Sequence, residues 1–141
     1  MSDNRLRLIE YLEAMMAEPF IWGKTDCMSF ANAAVKAQRG HGFVDDILER
    51  RYSTEFGAML LWRRAQAMTG CRDVVTLLDS RLTRSASRYP VMGSVVARPL
   101  ADAVVFSHRI GIMGGRAVPL YMTADGFAQI DLSDGDLAWE I

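Results

Sequence analysis

Apolar positions in the N-terminal part of the chain recur at intervals of three and four. Leu6, Ile9, Leu12, Met15 and Met16 follow the cap candidates Ser2, Asp3 and Asn4 and stop before Pro19, which predicts an amphipathic first helix. After a Trp22-Gly23 turn, Asp26 is placed to cap a second helix from about Cys27 to Gln38. Its inner face carries Phe30, Ala31, Ala34 and Val35, and "RGHG" closes it. "VDDILERR" reads as a short helical piece. Ser53 then caps a longer helix, "TEFGAMLLWRRAQAMTG", which stops at Gly70, and "RDVVTLLDSRL" follows as another.

Beyond the polar segment "TRSASRYP" the period changes to strand-like. "GSVVARP", "AVVFSHRIGIM", "RAVPLYM", "GFAQIDL" and "LAWEI" are separated by "MGGR", "TADG" and "SDGD", which are turn chemistries suited to hairpins. The pattern predicts one α+β domain over residues 1–141, with a helical half at about 1–85 packed on an antiparallel sheet of four to five strands at about 90–141.

Composition narrows the function classes. Half the residues are apolar and 16 basic residues face 17 acidic ones, so no basic stripe suggests nucleic acid. No apolar run approaches the ~20 residues of a membrane span. The charged N-terminus "MSDNRLRLIEYLE" lacks the apolar core of a signal peptide, so the expectation is a chain made in a cytoplasm. Cys27 and Cys71 stand in unlike contexts and are expected to be free thiols. With His41 and His108 the only histidines and no C-x-x-C, no metal and no cofactor is expected.

The chemistry concentrates in "PFIWGKTDCMSF", residues 19–30. A cysteine in a helix's first turn meets the positive end of the helix dipole, which favours the reactive thiolate. Acyl transfer would also need a histidine. His41 lies past the far end of the cysteine's own helix, roughly 20 Å away at 1.5 Å per residue. His108, on a predicted central strand, is the base candidate. The bland alternatives stand beside this one: free cysteines are often packing residues, Asp26 can be a helix cap alone, and His108 beside Arg109 can be a solvated pair.

"PFIWGKTDCMSFANAAV" resembles the aromatic-x-Trp-Gly-x-x-Asp-Cys-x-x-Phe signature of the NlpC-type cell-wall peptidases, which have a papain-like fold. The chain is similar, more closely still, to small phage tail-associated proteins that share the "PF-x-WG-x-x-DC" start, an "RY-x-T" segment, a "GI-x-x-G" strand and an aromatic near the C-terminus. The corresponding segments here are "RRYST", "IGIMGG" and "LAWEI". The resemblance implies Cys27 as nucleophile, His108 as base, and Trp22, Gly23, Tyr121 and Arg109 around a substrate cleft. It implies a place at the virion tail tip, with tail hub or baseplate proteins as partners and peptidoglycan as the substrate of an active form.

The catalytic pattern departs from that family in three positions. The family histidine stands two residues before the glycine of Gly-Ile, and alignment on Gly111 puts Arg109 in that slot. In a regular strand His108 would then face the other way, unless a bulge near Ser107 restored it. Ser94 replaces the aspartate of Gly-Asp-Leu, and Tyr121 is the only polar residue near the third position. Two functions follow as expectations: a structural tail-tip component with a degenerate site, or an active cysteine peptidase or amidase acting on peptidoglycan peptides.

Overall fold

The computed structural model describes residues 2–101 and 105–141. Helix α1 spans Asp3–Met15, with Ser2 Oγ accepting from the Arg5 N–H at 3.3 Å. Its buried stripe is Leu8 and Leu12, flanked by Tyr11 and Met15, so the inner face is shifted from the expected one and Leu6 stands exposed. Leucines at both 6 and 8 made the phase ambiguous. Tyr11 settles it by donating its hydroxyl to the Phe30 carbonyl of the next helix.

Helix α2, Cys27–Arg39, runs through the centre and ends at Gly40, whose φ of 86° closes the last turn. Phe30, Ala31, Ala34 and Val35 are fully enclosed, as their spacing predicts. Asn32 is buried beside them because it supplies what the following loop lacks. Its carbonyl accepts from the Phe43 and Val44 N–H groups, and its amide donates to Asp45. Helix α3, Asp45–Leu48, is one turn. Helix α4, Glu55–Thr69, is capped by Thr54 rather than Ser53, with Thr54 Oγ1 accepting from Gly57 N–H at 3.0 Å. Asp73 caps α5, Val74–Arg81, in the same way through Thr76.

Among the described residues the sheet has six strands, not four to five: β1 Thr83–Arg84, β2 Val95–Pro99, β3 His108–Met113, β4 Pro119–Thr123, β5 Gly126–Gln129 and β6 Leu137–Glu140. All pairings are antiparallel, in the order β1-β6-β2-β3-β4-β5. The extra strand, β1, hides in the polar "TRSASRYP" segment and exists through pairing with β6, where Arg84 lies over the Trp139 ring. The predicted strand at Ala103 begins five residues later, at His108, and its Ala103–Val104 portion lies outside the described residues. "RAVPLYM" starts as a strand only at Pro119, because Gly115–Ala117 form a tight 3₁₀ turn with Arg116 and Ala117 at φ of 60° and 56°.

Alternation along the strands sorts the two faces of the sheet. Val95, Ala97, Ile110, Ile112, Leu120, Met122 and Trp139 face the helices and join one continuous core with α1, α2, α4 and α5. Val96, Met113, Tyr121 and Ala138 face outward and are covered by Ile130 and Leu132 of the β5–β6 connection. That connection is pinned by Arg98, which donates to both carboxylate oxygens of the buried Asp136 and to the Asp131 carbonyl.

Candidate functional site

Residues 19–26 form a wound loop held by its own side chains. Thr25 Oγ1 donates to the Pro19 carbonyl at 2.6 Å and accepts from Ile21 N–H at 2.8 Å. Asp26 is wholly buried, a position a carboxylate tolerates only with several donors. It has four: Oδ1 accepts from Ser29 N–H at 3.0 Å, and Oδ2 accepts from Gly23 N–H at 2.7 Å, Ser29 Oγ at 3.2 Å and Tyr52 Oη at 2.6 Å. Asp26 is thus the helix cap that its position before Cys27 suggested. Its tie to Tyr52 links the "WGKTDC" loop directly to "RRYST". Burial pushes the Tyr52 hydroxyl well above its ordinary pKa, and the neighbouring Asp26 charge adds to this, so it stays a proton donor.

Gly23 is fixed by the same contact. Its φ is +82°, and an added Cβ would lie 1.8 Å from the Tyr52 carbonyl oxygen. No side chain fits there. Trp22 stacks edge-on against Phe20, with ring centres 4.8 Å apart, and both rings line a shallow cleft of about 220 Å³ in front of Cys27. Among the described residues His108, Arg109, Phe106, Met122 and Glu55 also border it. Trp22, Cys27, His108 and Arg109 therefore border one cleft, and Gly23 does not line it.

Tyr121 is not among them. It is fully buried on the outer face of the sheet, its ring lying against Gly111, where an added Cβ would fall 2.5 Å from it. Arg98 and Arg109 stand over that ring at 5.8 and 5.9 Å. Burial pushes its hydroxyl up to about 12, and among the described residues the hydroxyl has no hydrogen-bond partner. Ser94, in the place of the family aspartate, is likewise buried with its Oγ unpartnered. Neither residue can orient an imidazole on the helix side of the sheet.

The register expectation for β3 reverses. Pairing with β2 is regular from Met113's neighbour Ile112 down to His108, which lies opposite Pro99, and no bulge intervenes. His108 therefore shares its face with Ile110 and Ile112, toward the helices, while Arg109 shares the outer face with Gly111 and Met113. The histidine is on the cysteine's side of the sheet.

Position alone does not make a dyad. Among the described residues no hydrogen bond joins the Cys27 sulfur to the His108 ring; His108 Nδ1 lies 2.8 Å from Ser107 Oγ instead. Burial lowers the His108 pKa, and the Asp73 carboxylate at the start of α5 pulls it partly back up. Cys27 is half-buried, and desolvation of its sulfur pushes the thiol up to about 11. The adjacent Asp26 charge pushes the same way. Backbone N–H groups of Ile110 and Met28, and the Arg109 charge, pull down and lose. The helix start that sequence reasoning counted as activating is thus outweighed by burial beside a carboxylate. Cys71 is buried and free, and His41 is exposed beyond the end of α2, far from this chemistry.

Sequence reasoning missed Tyr52 as the partner of Asp26. The signal was the joint presence of "WGKTDC" and "RRYST", two segments that read as independent until the fold pairs them. Among the described residues no cluster of three or more His, Cys, Asp or Glu could hold a metal ion, and no helix is long and apolar enough to cross a membrane.

The family model for a domain of unknown function, DUF6950, matches residues 1–141, and the chain belongs to that family. No curated protein and no solved structure matches it.

Proposed function

We propose that this family member is a noncatalytic descendant of a papain-like cysteine peptidase that serves as a structural component of a phage or prophage tail tip. The observation that carries the noncatalytic part is the Cys27 thiol, desolvated, pushed up to about 11 and without a ring nitrogen to take its proton. A nucleophile of this class works as a thiolate, which a neighbouring base or a depressed pKa must supply at neutral pH. The tail-tip place rests on the sequence likeness of "PFIWGKTDC", "RRYST" and "IGIMGG" to tail-associated proteins. A locked loop supports that reading: Asp26, Tyr52 and Gly23 are committed to holding two segments together, a scaffold role that survives loss of chemistry.

The competing reading is an active peptidase or amidase on peptidoglycan peptides, and one observation favours it. His108 and Cys27 border the same cleft on the same side of the sheet, so a side-chain rearrangement could close the pair. Incubation of the purified chain with muropeptides separates the two. The structural reading expects no cleavage above that of Cys27→Ala, together with co-assembly of the wild-type chain with tail hub or baseplate proteins. Cleavage that disappears in Cys27→Ala would replace it with the peptidase.

A further inference from the structure

A second groove, reached from the Cys27 loop through Tyr52, carries arginines that the Cys27 site does not use. This groove, of about 350 Å³, runs between residues 50–54 and α4, with Arg50, Arg51, Arg64 and Leu60 along it and Tyr52 in its wall. Arg81, Arg84 and Arg98 elsewhere each hold a carboxylate. In contrast, Arg50, Arg51 and Arg64 make no ion pair and no side-chain hydrogen bond among the described residues, and no Asp or Glu lines this groove; the adjoining pocket that Arg50 and Arg64 also line holds Asp46, which is paired with Arg81, and Glu49. All three are exposed, as is Leu60, which is 50% accessible.

Three like charges around one groove repel one another in the free chain, and bound carboxylates would relieve that repulsion while matching the planar guanidinium forks two oxygens at a time. The groove is also rigid where it matters. Tyr52 is held at its hydroxyl by Asp26, and Gly57 packs against its Cβ, so the wall of the groove is fixed before binding and the ordering falls on the arginine side chains.

We infer that this groove is the docking surface for an acidic, extended segment of a partner protein, its carboxylates on Arg50, Arg51 and Arg64 and an apolar side chain on Leu60. The inference deepens the assembly reading and rests on it. A protein segment is favoured over nucleic acid because the charge is confined to one short groove on a chain of net charge −1, whereas a polyanion needs a longer basic track.

Fluorescence anisotropy with the full chain and a labelled peptide, Glu-Asp-Leu-Glu-Asp-Leu-Glu, tests it, with a Lys-for-acid version of the peptide and a single-stranded oligothymidine as comparison probes. The expected result is saturable binding of the acidic peptide that weakens with salt, falls about tenfold or more in Arg51→Glu/Arg64→Glu, falls also in Arg64→Glu alone, and is unchanged in Arg5→Glu, which makes the same single charge reversal on α1 as Arg64→Glu. An equal loss in Arg5→Glu, tighter binding of the oligonucleotide, or no acidic-peptide binding at 1 mM, about the weakest affinity worth assigning, would overturn it. If the double variant does not melt cooperatively, Arg64→Glu alone is read. Co-assembly with hub proteins is measured on the same variants. Co-assembly that ignores the substitutions removes the groove and leaves the assembly reading intact, and its absence in the wild type removes the reading itself.

Discussion

Replacing Tyr52 by Phe removes one oxygen from the contact that joins the two signature segments. The ring keeps its place against Gly57, while Asp26 Oδ2 loses its shortest donor, at 2.6 Å, and keeps Gly23 N–H and Ser29 Oγ. A hydrogen bond to a buried charge contributes about 1.5–3 kcal/mol, and the half-buried position of Tyr52 sets the expectation near 2 kcal/mol. Unfolding entropy of about 2.1 cal/mol/K per residue amounts to about 0.3 kcal/mol/K for a chain of 141 residues, so the midpoint should fall by about 7 °C. Thermal unfolding followed by circular dichroism reads this directly. Combining it with Asp26→Ala should show a coupling of about 1 kcal/mol or more, since each change removes the same bond. A fall below about 2 °C with additive energies would refute the idea that Tyr52 and Asp26 hold the loop together.

Other perturbations probe neighbouring parts of the structure. Gly23→Ala should cost about 3 kcal/mol or more, by urea unfolding, because the new Cβ meets the Tyr52 carbonyl at 1.8 Å in a left-handed backbone. Arg98→Ala leaves the Asp136 carboxylate, only 2% exposed, without its counter-ion, and should cost about 3–5 kcal/mol and loosen the 130–136 connection in hydrogen exchange. The alkaline limb of stability follows from raised pKa values: Cys27, Tyr11, Tyr52 and Tyr121 hold their protons in the folded chain at pH values where the unfolded chain has released them. Their contribution is complete below about pH 8.5 and lost as pH rises through the folded values, so urea midpoints should decline from about pH 9 upward, and less steeply in Tyr52→Phe.

The sequence made the caps visible and left the contacts between segments hidden. Asp26 and both helix-ending glycines, Gly40 and Gly70, act where their local chemistry placed them, because a cap is satisfied by neighbours three or four residues away. The choice of Thr54 over Ser53 and the phase of α1 could not be read, since adjacent residues offered equal chemistry and only packing against α2 distinguishes Leu8 from Leu6. β1 is two residues long and depends on a strand more than fifty positions away. The candidate site shows the same division. Cys27 at the start of α2 follows from local pattern, whereas the facing of His108, the removal of Tyr121 to the outer face and the Asp26–Tyr52 bond depend on strand pairing and long-range packing.

The central claim is that Cys27 is a desolvated thiol without a catalytic base. Its most direct test is the rate of iodoacetamide alkylation of Cys27 against pH, in a Cys71→Ala background, followed by mass spectrometry. A desolvated thiol with no base gives a midpoint near 11 and a rate at neutral pH below that of a free cysteine, with no change in the midpoint on His108→Ala. A midpoint at or below about 7 that moves upward in His108→Ala would contradict it, because only an imidazolium paired with the thiolate gives that result.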